Sequence, residues 1–409
     1  MISRNFYSDK IISGLKHNSI VTLIGARQVG KTTLMEMFVK NKKHLWLNGQ
    51  NPETAQLFEN FSTIERYLKI NINSQIEGLL IIDEFQFISN ISLYLKLLVD
   101  KYKKLKILCS GSSSLNILQQ VNESLADRIR LIFVYSLTFD EYVKFQNEEL
   151  YSQFQNTNKN DDINTLLPQI PVLLSEYLIY GGLPKISLAP INNEKKELLN
   201  DIYQTYLLKD VKQYIKNKDF VAFNKLLKIL SSQIGSMLNI NELSRLVQLS
   251  YKTCEEYINI LEQMFIIHLV SPFYTNVRKE VSKMKKIFFC DIGLRNIVYS
   301  SFNDIDFRVD KGAIFENFAY LQLLRKNKAI QINYYRTKDG TEIDFIVHKN
   351  NEIIPIEVKY KRYNKVYKIR AISEFKKKNN VKTAFVVNLN LVEKLDNLHY
   401  IQPYLLAEI

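Results

Sequence analysis

The sequence predicts an α/β chain in three parts: a parallel-sheet domain over residues 1–145, a helical segment over 166–305, and a second α/β domain over 306–409. Three observations predict this. Five short apolar runs alternate with helical stretches before residue 146. Helical periodicity then dominates to about residue 305. Last, one helical pattern at 311–326 precedes three strand-like runs and a later fourth.

The first part rests on SIVTLIG (19–25), HLWLN (44–48), GLLIID (78–83), LKILCSG (105–111) and RLIFVY (130–135). Their near-continuous apolar character suits parallel strands covered on both faces. A polar, turn-rich stretch, QNTNKNDDINT (155–165), reads as a linker.

Composition bounds the partners. The chain has 409 residues, 46% hydrophobic and 24% charged, which is ordinary for soluble globular domains. The 55 Lys+Arg against 42 Asp+Glu give a net +13. That excess points to an anionic partner, nucleic acid first, although a generally basic surface accounts for it equally. Cys109, Cys254 and Cys290 are scattered without metal spacing, and their odd number argues against a disulfide framework. No apolar run approaches the ~20 residues of a spanning helix. MISRNFYSDK at the N-terminus lacks a signal-peptide core. The expectation is a cytoplasmic protein with no membrane partner.

Residues 25–32, GARQVGKT, match the phosphate-loop pattern, with strand VTLI before and helix TTLMEMFVK after. Gly25 and Gly30 let backbone N–H groups turn inward around phosphate oxygens, with Ala26, Arg27, Gln28 and Val29 forming the rest of the cradle. Lys31 sets a cation on the β/γ-phosphates. Thr32 offers a hydroxyl to Mg²⁺, and Thr33 follows in the first turn of a helix aimed at the anion. LLIIDE ends a buried strand in Asp83, suited to the metal, and Glu84, suited to polarising the attacking water. Two acids capping a strand also fit a solvated strand end, but the intact phosphate loop upstream favours the catalytic reading. LKILCSG ends in Ser110 and Gly111, followed by Ser112, and a hydroxyl there suits a γ-phosphate sensor, although Ser/Gly clusters after strands are commonly turns. The reading is a P-loop NTPase that binds ATP with Mg²⁺.

The phosphate loop with Arg-Gln inside it, the IIDE strand and the run SGSSS followed by ESLADRI resemble the prokaryotic ATPases of the AAA superfamily that carry a C-terminal domain of unknown function. EYLIYGGLP, YLLKDV, SPFYTNVRKE and FFCDIGLRN are similar to segments recurring in that family. The resemblance implies an arginine finger at Arg128, either in cis or, in a homo-oligomer, across a subunit boundary. The family pattern has Gly where this chain has Asp127. Pairing of Arg128 with a surface carboxylate is the competing account. Spacing assigns no chemistry to Asp210 or Asp291.

In the middle part, Asn241 reads as the N-cap of a short helix ELSRLV, and Ser250 as the cap of YKTCEEYINILEQM. The strand FIIHLV follows, with KKIFFCD (285–291) as its return. This is a winged-helix pattern in which Tyr251, Lys252 and Thr253 open the recognition helix. Glu255 and Glu256 oppose phosphate, and such folds also serve as protein-docking modules.

The last part holds INYYRT, EIDFIV and EIIPIEV, with Asp339-Gly340 as a hairpin turn, then a basic helical stretch and the strand KTAFVVNL. Alternation sets Asp344 on one strand face, and Glu357 with Lys359 on one face of the next. If the strands pair, these three converge. Two carboxylates suit Mg²⁺, and a lysine beside them suits charge developing on phosphorus. Glu316, on the preceding helix, is placed to complete the metal shell. A hairpin with solvated acids is the plain alternative. The order of helix with Glu, strand with Asp, strand with Glu-x-Lys, helix, strand resembles the restriction-endonuclease-like nuclease fold. The run KYKRYNKVYKIR (359–370) interleaves cations with Tyr360, Tyr363 and Tyr367, a pattern suited to nucleic acid and also to a solvated helix face. The combined expectation is an ATPase joined to a nuclease-like domain that acts on DNA. The alternative is a nucleotide switch docking a protein partner.

Overall fold

A computed structural model describes residues 2–112, 127–158, 160–210, 212, 215, 219–274, 283–326, 331–349 and 352–409. Most of the SGSSS to ESLADRI run, and parts of YLLKDV and SPFYTNVRKE, lie outside the described residues, as do the side chains of 207–210, and with them Asp210. By contacts the chain divides into two compact units, Met1–Ser136 with Gln263–Phe265, and Leu137–Glu262 with Ile266–Ile409. The stretches read separately as 166–305 and 306–409 therefore belong to one body. Among the described residues, no helix is long and apolar enough to cross a membrane.

The first unit is built on strands β1 (Ile20–Ile24), β2 (Leu45–Asn48), β3 (Gly78–Asp83), β4 (Leu105–Gly111) and β5 (Ile129–Phe133), in the order β2-β3-β4-β1-β5. Every pairing is parallel. Parallel strands need crossover connections, so helices cover both faces and the central strands are apolar throughout. β1, IVTLI, is buried along its whole length. Helix α1 (Asn5–His17) precedes β1, and α2 (Lys31–Val39) follows the phosphate loop. This is the P-loop NTPase fold that the sequence predicts. Because the strands run the same way, their C-terminal ends share one edge, and open α/β sheets bind ligands there.

In the second unit, α3 (Ile240–Val247) and α4 (Tyr251–Gln263) make a helix-turn-helix, followed by an antiparallel pair of β6 (Ile267–Val270) and β7 (Lys286–Phe289). Ser250 caps α4 by accepting from Thr253 N at 3.1 Å. The cap of α3 differs from expectation: Asn239, not Asn241, accepts from the backbone of Glu242, so the helix starts earlier. The break at GGLP follows from Gly181, whose φ is +78° and whose Cβ would fall 2.2 Å from an Asp291 oxygen. Asp291 is structural. It accepts from Gly182, Gly293 and Leu294 backbone N–H groups and so caps the next helix.

Helix α5 (Lys311–Lys326) leads into β8 (Gln331–Arg336), β9 (Glu342–Lys349) and β10 (Glu352–Val358), an antiparallel meander. Gly340, at φ +86°, forms the expected turn. Helix α6 (Arg370–Asn379) crosses to β11 (Ala384–Val387), parallel to β10. Strands β12 (Glu393–Leu395) and β13 (Leu398–Ile401) complete a six-stranded sheet in the order β12-β13-β11-β10-β9-β8. Ile343, Ile346, Phe375, Val386 and Tyr400 centre its core beneath α6. The fold is thus a parallel-sheet NTPase domain followed by a further α/β domain.

Candidate functional sites

The phosphate loop leaves the C-terminal end of β1. Gly25 is required by packing: a Cβ there would fall 2.0 Å from the Val134 carbonyl oxygen. Gln28 at φ +63° and Gly30 at φ +91° reverse the chain, so Gly30 becomes the N-cap of α2. No side chain caps α2, so its first N–H groups are left for an anion. Ala26 and Val29 bury their side chains and contribute backbone alone, while Thr33 lies exposed on the first turn. Lys31, 5% exposed, curls back to donate to the carbonyls of Gly25 at 2.9 Å and Ala26 at 2.8 Å. Burial lowers its pKa to about 8 against the pull of Glu84 and Asp83.

Parallel register brings the second element alongside. Asn48 pairs with Asp83, Ile82 with Cys109, and Ile24 with Gly111. Thr32 donates to Asp83 Oδ2 at 2.9 Å. Asp83 Oδ1 accepts from the Ser110 hydroxyl and from Glu84 N at 3.1 Å. Glu84 has φ +50°, and its Oε2 accepts from Gln86 Nε2 at 2.5 Å and Ser112 Oγ at 3.2 Å. The two serines therefore divide the work: Ser110 orients Asp83 and Ser112 touches Glu84. Hard oxygen donors on Thr32 and Asp83 beside an uncapped helix start suit a magnesium nucleotide.

Two residues here escaped sequence reading. Arg4, buried ahead of α1, donates to the carbonyls of Val29 and Tyr135, each at 3.0 Å, and braces the loop from behind. Gln86 is the other. Both work through partners that no local period reveals.

Arg128 does not join this site. It precedes β5, and its carbonyl accepts from Ile20 N, so it sits at the sheet edge where strands begin. The phosphate loop leaves the opposite edge, roughly 16 Å away at the rise of an extended strand. Its guanidinium pairs with Asp100 through Nε at 2.7 Å and Nη2 at 3.2 Å. The in-cis finger is thereby corrected, and a role in trans is what remains of that expectation. Asp127 has φ +64°, a conformation that favours glycine and that Asp tolerates, which explains the residue type at this position.

In the second unit, β9 and β10 pair Phe345 with Ile356, and the next step of that register sets Asp344 beside Glu357. Asp344 Oδ2 accepts from Val358 N at 2.7 Å. Lys359 Nζ lies 2.6 Å from Glu357 and 3.8 Å from Asp344. Glu357 Oε2 is buried without a hydrogen-bond partner, and burial plus the Asp344 charge raise its pKa to about 7. An orphaned carboxylate oxygen beside a second carboxylate suits a divalent cation.

Glu316 departs from the expected three-acid shell. Lys286, 2% exposed on β7, lies 3.0 Å from Glu316 and 2.5 Å from Glu342. Among the described residues, no three His, Cys, Asp or Glu side chains are grouped to hold a metal ion. Glu316 is instead paired with the buried Lys286 ammonium. Burial and the Asp344 charge still raise the Glu316 pKa to about 8.

The basic-aromatic run is not helical before Arg370. Its backbone is tied to other elements: the Tyr400 hydroxyl accepts from Tyr367 N and donates to Tyr367 O, and Tyr363 N donates to Asn390. Tyr360 donates to Asp306, and Tyr363 packs edge-on against Tyr400. Tyr360 and Tyr363 thus serve the fold, while the Tyr367 ring is exposed.

Residues 17–143 match the model of an AAA domain. Residues 172–304 and 311–404 match two domains of unknown function, DUF8612 and DUF4143. The solved Walker-type ATPase of Pyrococcus abyssi is similar in fold, with a TM-score of 0.51 at 14% identity over 73% of this chain and 96% of that one. An uncharacterized protein of Haemophilus influenzae is 23% identical over 380 residues, 88% of this chain and 87% of its own. One from Methanocaldococcus jannaschii is 24% identical over 364 residues, covering 87% and 78%. The AAA match, together with the loop and strand geometry above, supports a P-loop ATPase that binds and hydrolyses nucleotide.

Proposed function

We propose that the chain is a Mg²⁺-dependent ATPase whose turnover is coupled to a DNA-directed, nuclease-like C-terminal domain. The contact between Thr32 and Asp83 carries the first half, because it sets a hydroxyl and a carboxylate together at the mouth of the phosphate loop. Thr32 and Asp83 would hold Mg²⁺, which neutralises charge on the triphosphate. Lys31 turns its ammonium from the loop carbonyls to the β/γ-phosphates. Glu84 accepts a proton from the attacking water.

In the second half, Asp344 and Glu357 would hold one Mg²⁺, without Glu316, and Lys359 steadies negative charge on a phosphodiester. Support for DNA comes from the net +13 and from a groove of about 360 Å³ between α3, α4 and the β6–β7 pair. Tyr251, at the start of the helix that a winged-helix reader would use, lines it with Lys283 and Lys285, and Glu255 lines it as the opposing charge. Arg128 serves a neighbouring copy if the chain assembles.

A second reading is favoured by the Lys286–Glu316 pair: the nuclease-like domain is inert, and the ATPase is a switch that docks a protein partner. DNA separates the two. Stimulated ATP turnover and salt-sensitive binding fit the first reading, and no response fits the second. Metal-dependent cleavage of a panel of DNA structures by wild type, lost in Asp344→Ala and Lys359→Ala, supports the nuclease. Equal cleavage by all three removes it.

A further inference from the structure

We propose that Gln86 is a positioning residue for Glu84, tying that carboxylate to Ser112 at the end of β4. The inference deepens the ATP-hydrolysis reading and rests on it. Gln86, Glu84 and Ser112 close a triangle: Gln86 Nε2 donates to Glu84 Oε2 at 2.5 Å and to Ser112 Oγ at 3.1 Å, and Ser112 Oγ donates to Glu84 Oε2 at 3.2 Å. The orientation of the amide is fixed by its neighbours, since the reverse would set the amide oxygen against a carboxylate oxygen.

The triangle is not needed to close the local turn. The 3-10 turn Phe85–Phe87 is closed by backbone bonds, Phe87 N to Glu84 O at 3.2 Å and Ile88 N to Phe85 O at 3.1 Å. Gln86 Oε1 is buried and has no hydrogen-bond partner, so the side chain is held by its donor end. The Glu84 backbone is pinned separately. Its N–H donates to Asp83 Oδ1 and Ser110 Oγ, each at 3.1 Å, and a Cβ on Gly49 would fall 2.5 Å from its carbonyl oxygen. With the backbone fixed in a left-handed conformation, the side-chain rotamer is the remaining freedom, and Gln86 removes it.

The consequence for chemistry is direct. Both donors use Oε2, which leaves Oε1 as the acceptor for a water proton. Ser112 follows the strand residue Gly111, whose carbonyl accepts from Gly25 N, the first residue of the phosphate loop. Gln86 thereby links the carboxylate that polarises water to the segment beside the phosphates.

The test is steady-state ATP turnover, with affinity for a non-hydrolysable ATP analogue measured by calorimetry, on Gln86→Leu and the near-isosteric Gln86→Glu. Gln86→Leu deletes the donor, and Gln86→Glu sets a second carboxyl against Glu84, so that the two share one proton and Glu84 no longer holds a full charge for the water. Both variants are expected to lose about 10²-fold in kcat, the scale of a misplaced catalytic group, with analogue affinity unchanged. Combined with Glu84→Gln, neither causes a further loss, because the residue being positioned is already gone. Both variants turning over like wild type overturns the proposal. So does a loss that multiplies with that of Glu84→Gln, or a loss of affinity that matches the loss of rate. Turnover that falls in Glu84→Gln but not in the Gln86 variants overturns only this inference. Wild-type turnover indifferent to both Lys31→Ala and Glu84→Gln overturns the parent reading and this one with it.

Discussion

Thr32 and Asp83 meet across 2.9 Å, hydroxyl to carboxylate, although they belong to different crossovers of the sheet. Parallel register produces the meeting: β3 lies beside β4 and β4 beside β1, so the ends of β1 and β3 open on the same edge. Thr32→Ala removes a magnesium donor and leaves Asp83 with Ser110 and the Glu84 N–H. We predict about tenfold weaker ATP binding in the presence of Mg²⁺, worth roughly 1.4 kcal/mol, and no change without the metal. Calorimetry with and without Mg²⁺ checks both halves.

Gly25 has no room for a methyl group, since Val134 O would lie 2.0 Å from it. Gly25→Ala must displace backbone on one side or the other. The expected cost is about 2 kcal/mol or more in denaturant unfolding, with loss of nucleotide binding. Normal binding by this variant would contradict the loop geometry.

Lys31 supplies a pH dependence with a definite sign. Its pKa is lowered to about 8 by burial, so above that value the nucleotide-free chain has shed the proton that the phosphates require. Nucleotide affinity is therefore flat below about pH 7 and weakens by up to about tenfold per pH unit above 8, with proton uptake on binding. For stability the sign is opposite. The folded chain releases this proton before the unfolded chain does, so the lysine's contribution becomes more favourable between about 8 and 10.5. Calorimetry at pH 8.5 in two buffers of different ionisation enthalpy measures the uptake, and Lys31→Met abolishes it.

Lys286 is the buried counter-charge of Glu316 and Glu342. Lys286→Met leaves those acids facing Asp344 without it. Denaturant titration should show a loss of about 3–5 kcal/mol, the usual result of breaking a buried pair from one side. Divalent cation should restore part of that loss, and a variant as stable as wild type would contradict the pairing.

Arg128 faces away from its own phosphate loop. Arg128→Ala is expected to turn over ATP normally at chain concentrations too low for association. Any loss should appear only as concentration rises. A loss independent of concentration would contradict the separation of the two sheet edges.

What the sequence disclosed follows the reach of its signals. All five strands of the first sheet, the phosphate loop, Asp83 and Glu84 were legible because each is a contiguous pattern with its own chemistry. Asp344, Glu357 and Lys359 were legible because strand alternation fixes faces. Strands β12 and β13 were missed: EKL and LHYI are short, and the first is polar. The stretch 359–369 has the composition of a charged helix face, yet its backbone is tied to Tyr400 and Asn390 and forms no helix before Arg370. Arg4, Gln86 and Lys286 escaped for a different reason. A basic residue near a terminus, a glutamine after two acids and a lysine opening an apolar run are each ordinary, and only folding reveals Val29, Ser112 and Glu316 as their partners.

The most direct measurement is Mg²⁺-dependent phosphate release from ATP by the purified chain, beside Lys31→Ala and Glu84→Gln. The structure predicts turnover by wild type, loss of nucleotide binding in the first variant, and retained binding with turnover reduced by about 10²-fold or more in the second. Phosphate release that survives both substitutions would contradict the assignment of this pocket.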